Sequence, residues 1–227
     1  MNYDTVIFDL DGTLVNTLED LAESVNAVLK SEGYQKRTIG EIQSFIGNGV
    51  QMLMTRSLPK GSPEKEIMRC LDLFRDAYRK NMFSKTIPYE NVADTLKLLK
   101  EKEFKIGVVS NKRDEETKNI CSFFFGQNID VAIGDNHIRK KKPAPDNVFA
   151  ALKELDSKQE KAIFVGDSNV DVETAKNADL ICIGVTWGYR SRENLLDAGA
   201  DFIIDIPSQL VPLIESLSQQ NNPVSQI

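Results

Sequence analysis

The sequence predicts an α/β protein: a doubly wound parallel sheet, interrupted early by an inserted bundle of helices. Three observations carry this expectation. A fully apolar run, Val6-Ile7-Phe8, leads directly into Asp9-Leu10-Asp11-Gly12-Thr13. From there to about Phe83 the apolar residues keep helical spacing, with no strand pattern. From about Asn91 onward, short apolar runs alternate with amphipathic segments.

The first strand reads as buried on both faces, because its apolar run is unbroken. Side chains two apart on a strand point the same way, so Asp9 and Asp11 are expected to face one site. Two adjacent carboxylates repel unless a cation lies between them or one holds a proton. Both conditions suit phosphoryl transfer. One aspartate can attack phosphorus while the other shuttles the proton of the leaving group. Gly12 lets the chain turn sharply after the pair.

The helical region divides into four segments. Leu18, Leu21, Ala22, Val25 and Leu29 share one helical face, and Gly33 is a natural stop. Thr38 and Glu41 have the spacing of a capping box. A break at Gly47-Asn48-Gly49 precedes a helix carrying Val50, Leu53 and Met54. Ser62 and Pro63 open the last helix, with Ile67, Leu71, Phe74 and Tyr78 on one face. Pro88 and Tyr89 close the region, which reads as a small inserted bundle.

The remainder alternates. Asn91 is placed to cap a helix carrying Leu96 and Leu99, and Lys105 to Ser110 reads as the second strand. After another helix comes a weaker strand at Val131 to Ile133, then a helix after Pro145 with Val148, Phe149 and Leu152. Ala162 to Gly166 is a strong strand, followed by a helix from about Val170 to Ala178. Leu180 to Val185 and Phe202 to Ile204 are further strands. The expected domains are residues 1–15 and 89–217 for the sheet domain, 16–88 for the helical insertion, and 218–227 for a polar, fraying tail.

Composition narrows the function. The chain has 227 residues, 41% hydrophobic and 27% charged, enough for a sizeable core. A net charge of -6 argues against non-specific nucleic-acid binding. Cys70, Cys121 and Cys182 are odd in number, far apart and mostly in apolar patterns, as expected of reduced core residues in a cytoplasmic protein. There is no basic-then-apolar leader, and no apolar run long enough to span a membrane. The single histidine, His137, rules out a two-histidine zinc site. It lies in a polar, lysine-rich stretch, which suits a solvated loop better than the base of a nucleophilic serine. The positions six residues after the cysteines are Asp76, Gln127 and Gly188, so the Cys-to-Arg spacing of a cysteine phosphatase is missing. Neither a Gly-x-Gly-x-x-Gly loop nor a Walker-type phosphate loop is found.

In a doubly wound sheet the site lies beyond the C-terminal ends of the strands. The second strand ends at Ser110-Asn111, where a hydroxyl and following N–H groups suit phosphoryl oxygens, or simply cap a helix. The strong later strand ends Gly166-Asp167-Ser168-Asn169-Val170-Asp171. Asp9 and Asp167, with waters and substrate, would make a magnesium shell, although acidic residues also favour helix N-termini. Arg139-Lys140-Lys141-Lys142-Pro143 is mostly a solvated basic run. One lysine of it facing the site would balance the carboxylates, and Pro143 favours Lys142 by biasing it toward an extended backbone.

Asp9-x-Asp11-Gly12-Thr13, Ser110-Asn111, Lys142-Pro143 and Gly166-Asp167-x-x-x-Asp171 occur in this order at strand ends. In this the chain resembles the haloacid dehalogenase-like hydrolase superfamily over essentially its whole length up to the tail. The resemblance implies a Rossmann-like core, an inserted helical cap, Mg²⁺ and an aspartyl-phosphate intermediate. It implies Asp9 as nucleophile and metal ligand, and Asp11 as general acid/base whose backbone carbonyl also binds the metal. Asp167 would be the other protein ligand with Asp171 in support, and Ser110 and Lys142 would hold the phosphoryl group. Ile46-Gly47-Asn48-Gly49, Lys142-Pro143-Ala144-Pro145-Asp146 and Val185-Thr186-Trp187-Gly188 look most like the phosphoglycolate phosphatase branch. Asn16, where many relatives carry Asp, and Glu90-Asn91, where relatives often have Pro-Gly or Asp-Gly, depart from its pattern at the hinges.

The expected activity is therefore a cytoplasmic, Mg²⁺-dependent phosphatase of small phosphorylated metabolites, with 2-phosphoglycolate the first substrate to consider. It would bind neither nucleic acid nor membrane and would be a monomer or homodimer. Gly47, Asn48 and Gly49 form either a plain turn between helices or a loop offering N–H groups to the substrate's carboxylate. Trp187 and Tyr189 are read as loop-packing residues. A sugar phosphomutase and a pyrophosphatase share the resemblance, while a dehalogenase would lack the second aspartate. A phospho-signalling receiver also places a phosphorylatable Asp at a strand end, but needs neither the insertion nor the length. A binding protein with a retired site would not need to keep every motif residue.

Overall fold

The computed structural model describes residues 3–220, the side chain of Gln220 excepted. The described residues fall into two compact units. One contains the residues up to Leu14 and those from Pro88 onward, and the other is Val15–Ile87.

The first unit is built on β1 (Thr5–Phe8), whose Val6 and Ile7 are fully buried. The chain leaves this unit through β2 (Val15–Asn16). The second unit then packs α1 (Leu18–Ser31), α2 (Ile39–Phe45), α3 (Val50–Ser57) and α4 (Glu64–Asn81). Leu21, Val25, Leu29, Ile42, Met54, Leu71, Phe74 and Tyr78 share its core. The rings of Phe74 and Tyr78, one helical turn apart, stack 5.6 Å between centroids. The Thr38–Glu41 capping box forms as the spacing predicts. β3 (Ile87–Pro88) pairs with β2 in a two-stranded sheet.

The rest of the first unit runs α5 (Val92–Glu101), β4 (Lys105–Arg113), α6 (Asp114–Phe125), β5 (Val131–Asp135), α7 (Asp146–Glu154) and β6 (Ala162–Gly166). It ends with α8 (Asn169–Asn177), β7 (Ile181–Val185), α9 (Arg192–Ala198), β8 (Phe202–Ile204) and α10 (Leu210–Gln220). The six main strands lie in the order β5-β4-β1-β6-β7-β8. Every pair is parallel, and Phe8 aligns with Val108 on one side and Val165 on the other. The chain leaves β1 for β4 in one direction and returns to β6 in the other, which creates the crevice such sheets use as a site. Ile7, Val109, Ile133, Val148, Phe164 and Leu195 belong to the core around this sheet. Among the described residues, no helix is long and apolar enough to cross a membrane.

Several local expectations are corrected. Asn91 occupies the N-cap of α5 but has φ 63° and makes no side-chain cap bond. Phe149 lies on α7 but is 43% exposed, so the apolar stripe there is narrower than its spacing suggests. The second strand continues past Ser110 to Arg113. Helices α9 and α10 fall between the expected strands and the tail. Ser218 is within α10, and residues 221–227 of the expected tail lie outside the described residues.

A candidate active site at the sheet's switch point

The Asp9 N–H donates to the Val165 carbonyl at 2.9 Å, so Asp9 sits just past the end of β1 beside the end of β6. Asp167 follows β6 directly and is 1% exposed. Its Oδ1 accepts from the Thr13 hydroxyl at 3.1 Å and its Oδ2 from the Tyr189 N–H at 2.7 Å. The backbone leaves room for this carboxylate only because two neighbours are glycines. A Cβ on Gly12 or on Gly188 would stand 2.7 or 2.6 Å from Asp167 Cγ, and Gly12 also has φ +95°.

Asp171 opens α8. Ser168 is the N-cap, and the Asp171 Oδ2 accepts from the Ser168 N–H at 3.0 Å and from its hydroxyl at 2.6 Å. The other oxygen, Oδ1, accepts from Lys142 Nζ at 2.7 Å. Asp171 thus completes the capping box with Ser168 and also belongs to the charged cluster.

Lys142 is the lysine of the basic run that turns inward. Its Nζ lies 2.7 Å from Asp9 Oδ1 and 2.7 Å from Asp171 Oδ1. Its ammonium stands 5.6 Å from the centroid of the Phe164 ring. Asn111 Nδ2 donates to the Lys142 carbonyl at 3.0 Å and so fixes its backbone. The rest of the run lies outside this cluster: Arg139 bonds Asn147, Lys141 pairs with Asp135, and Lys140 is exposed. His137 is a loop residue with 64% of its side chain exposed.

Burial sets the electrostatics. Asp9 is held well above the usual carboxylate range by burial and by repulsion from Asp171 and Asp167, which the Lys142 ammonium only partly offsets. Asp167 is pushed up to about 7 by burial and Asp171. Burial alone would lower Lys142, but Asp171 and Asp9 hold it above the ordinary lysine value, so it stays charged. Three buried carboxylates therefore share one buried ammonium.

This donor set fits a hard divalent cation. Asp9, Asp167 and Asp171 each offer a carboxylate oxygen, and these atoms lie within 4.8 Å of one another. Oxygen-only donors of this charge suit Mg²⁺, which would remove the repulsion that raises Asp9 and Asp167.

Asp11 is not in this carboxylate cluster, although strand alternation led us to expect it there. The strand ends at Phe8, so alternation does not carry through to Asp11. Its two oxygens lie instead 3.0 and 3.3 Å from Lys112 Nζ. Ser110 is buried, and its hydroxyl accepts from the Lys112 N–H at 3.2 Å. Lys112 was not expected at the site. Its only signal was a lysine just past the apolar run Ile106–Val109, where a buried cation needs a carboxylate partner. Trp187 Nε1 donates to the Thr13 carbonyl at 3.0 Å, tying the loop after β7 to the turn after β1.

Gly47, Asn48 and Gly49 belong to the helical unit. Gly47 has φ 123° and Gly49 has φ 83°. The loop is braced, not free: Arg56 donates to Asn48 Oδ1 at 3.0 Å and to the Phe45 carbonyl at 2.8 Å.

The haloacid dehalogenase-like hydrolase family model matches residues 6–185. The chain is 33% identical over 212 residues to a phosphoglycolate phosphatase of Aquifex aeolicus, covering 93% of this chain and 96% of that one. It is also 33% identical over 230 residues to a phosphoglycolate phosphatase of Psychrobacter arcticus, covering 98% and 100%. A solved structure from Lactobacillus delbrueckii subsp. bulgaricus superposes with TM-score 0.90 at 31% identity, over 94% of this chain and 99% of that one. The structure of CbbY from Rhodobacter sphaeroides in complex with phosphate superposes with TM-score 0.73 at 25% identity, over 92% and 96%. With its strand-end aspartates, its buried lysine and these matches, the chain belongs to the haloacid dehalogenase-like hydrolases.

Proposed function

We propose that this chain is a Mg²⁺-dependent phosphatase of small phosphomonoesters, with 2-phosphoglycolate as its substrate, and that Asp9 is the nucleophile. The observation that carries the reading is the shared contact of Lys142 with Asp9 and Asp171, beside Asp167. It supplies a nucleophilic carboxylate, a cation for the transferring group and a metal-ligand set in one place. The relatives named phosphoglycolate phosphatase support the substrate.

Asp9 and Asp167 would hold the metal, aided by the Asp11 carbonyl, with Asp171 in support. The bound ion supplies Lewis-acid stabilisation of phosphoryl charge. Asp9 attacks phosphorus in line, and Asp11 protonates the departing alkoxide. Asp11 then takes a proton from the water that hydrolyses the aspartyl phosphate. Lys142 and Ser110 hold the equatorial oxygens, while Asn111 fixes Lys142 from behind. Gly47, Asn48 and Gly49 are assigned to substrate choice. The enzyme works in the cytoplasm, as a monomer or homodimer. Three buried free cysteines support the cytoplasmic setting.

The test is phosphate release from a panel of small phosphate esters and pyrophosphate, with Mg²⁺ or EDTA, beside Asp9→Asn. The expected result is a kcat/KM that stands out for 2-phosphoglycolate, no release in EDTA, and none from Asp9→Asn. Comparable turnover of many esters would overturn the substrate. Turnover that persists in Asp9→Asn would overturn the nucleophile.

A further inference from the structure

We propose that Lys112 is a positioning residue for proton transfer, holding the Asp11 carboxylate toward the leaving-group oxygen; the proposal rests on the phosphatase reading above. The Lys112 ammonium lies 3.0 and 3.3 Å from the two Asp11 oxygens. The Lys112 side chain is 2% exposed and that of Asp11 is 15%, so the lysine stands behind the carboxylate on its inner side. Burying an ammonium is unfavourable unless it is well paired, so a lysine kept here needs such a partner.

The lysine is itself anchored. Its N–H donates to the Ser110 hydroxyl at 3.2 Å. A Cβ on Gly134 of the neighbouring strand β5 would stand 2.6 Å from the Lys112 carbonyl oxygen, so β4 and β5 are in close contact there. The side chain therefore projects from a fixed backbone, and a two-point contact fixes where the Asp11 carboxylate points.

Two buried lysines divide the two aspartates of the first motif between them. Lys142 holds Asp9, and Lys112 holds Asp11. In the first step the Asp9–phosphorus bond forms as the phosphorus–oxygen bond to the alcohol breaks, and the Asp11 proton goes to that oxygen. In the second, water oxygen bonds phosphorus, the Asp9–phosphorus bond breaks, and the water proton returns to Asp11. Lys112 keeps its protons throughout.

This role predicts a dependence on the leaving group. An alkoxide needs a proton to depart, whereas p-nitrophenolate is a weak base and departs without one. Lys112→Met, Lys112→Arg and wild type are compared by kcat/KM on an alkyl phosphomonoester and on p-nitrophenyl phosphate, with Mg²⁺. For Lys112→Met the alkyl value is expected to fall at least about tenfold, and the aryl value by less than about threefold. Lys112→Arg, which keeps a donor, is expected to recover part of the alkyl loss. Equal losses on both esters, or none, would overturn the assignment while leaving the phosphatase reading intact. A wild-type protein inactive on both esters would overturn that reading and the Lys112 role with it. If circular dichroism shows Lys112→Met unfolded, the ratio of the two esters is read from Lys112→Arg, and a ratio unchanged from wild type would overturn the assignment.

Discussion

Lys142 Nζ lies 2.7 Å from Asp9 Oδ1, and the two side chains are 2% and 12% exposed. In the proposed reaction this pairing sets a geometric demand, because the ammonium that holds Asp9 would also have to meet the phosphoryl oxygens. Asp171, also 2.7 Å from Nζ, gives the lysine a second carboxylate partner that would keep it in place.

Lys142→Met tests both roles at once. Without the ammonium, Asp9 and Asp171 are left buried and uncompensated. Breaking such a pair costs about 3–5 kcal/mol, and losing one phosphoryl donor costs roughly 100-fold or more in kcat. Urea unfolding in EDTA at pH 8 should show the first, and initial rates with Mg²⁺ the second. The stability loss should shrink toward pH 5, because the buried Asp9 carboxylate, already held above the usual range, can then take up a proton. A loss that does not change with pH would mean that packing, not charge, holds Lys142.

Asp167 dictates a pH dependence of the metal-free protein. Its pKa rises from the ordinary 3.8 to about 7 in the fold, through burial and then Asp171. The folded state therefore binds the proton more tightly than the unfolded chain. The sign follows: this contribution to stability is fully present below the unfolded value, and is lost as pH rises toward 7. In EDTA, the Tm of wild type minus that of Asp167→Asn should fall between about pH 4 and pH 7 and then level off. Added Mg²⁺ should raise the wild-type Tm more at pH 8 than at pH 5, because ligands must be ionised to bind. A difference that rises with pH in EDTA would mean that Asp167 is stabilised as a carboxylate without metal.

Much of this site is legible in the amino-acid sequence, because strand-end residues in a parallel sheet converge by topology alone. Asp9, Ser110, Asp167 and Asp171 follow apolar runs or stand in the first turn of a helix at neighbouring strands, whereas Lys142 comes from the basic loop between β5 and α7 and is singled out by Pro143 alone. What stays hidden depends on distance across the fold. Lys112 belongs with Asp11 only because β4 neighbours β1. The roles of Tyr189 and Trp187 in holding Asp167 and Thr13 depend on how the loop after β7 folds back. Helix α10 escapes a reading of the sequence for another reason. Its apolar residues Leu210, Val211, Ile214 and Leu217 pack as a helix, but the polar tail beyond them masks the period.

Gly188 separates close packing from mere conservatism of size. A Cβ there would press on Asp167 and on the Gly12 carbonyl, which is backbone and cannot swing aside. Gly188→Ala should cost about 1–3 kcal/mol by overpacking and should weaken Mg²⁺ binding, since Asp167 must move. Gly40→Ala is the contrast, because nothing lies within 4 Å of its added Cβ and it sits in α2. That change should be neutral or stabilising by up to about 1 kcal/mol. Urea midpoints and a Mg²⁺ titration of Tm measure both. Equal effects from the two substitutions would show that the contact with Asp167 has no special weight.

Asp20 shows which charges hold the helical unit together. It lies on α1 with no exposed surface. Its Oδ2 accepts from the Thr86 N–H at 2.8 Å and the Thr86 hydroxyl at 2.8 Å, and the Lys85 N–H stands 3.1 Å from both oxygens. The returning chain just before β3 is therefore fastened to the start of α1 by one buried carboxylate. Nearby, Lys85 Nζ reaches Glu23 at 2.5 Å and Glu19 at 3.3 Å, but all three side chains are about half exposed. Distance alone would rank these ion pairs with the Asp20 bonds; solvent reverses the ranking. Exposed pairs are screened and worth well under about 1 kcal/mol, whereas buried donors left without an acceptor cost about 1–3 kcal/mol each. Asp20→Ala should therefore lose at least about 2 kcal/mol, and Lys85→Met much less than that, both read from urea midpoints at constant m. Thr86→Val should fall between them, since it keeps the backbone bonds and loses only the hydroxyl. If Lys85→Met costs as much as Asp20→Ala, the surface pairs and not the buried carboxylate fasten the returning chain.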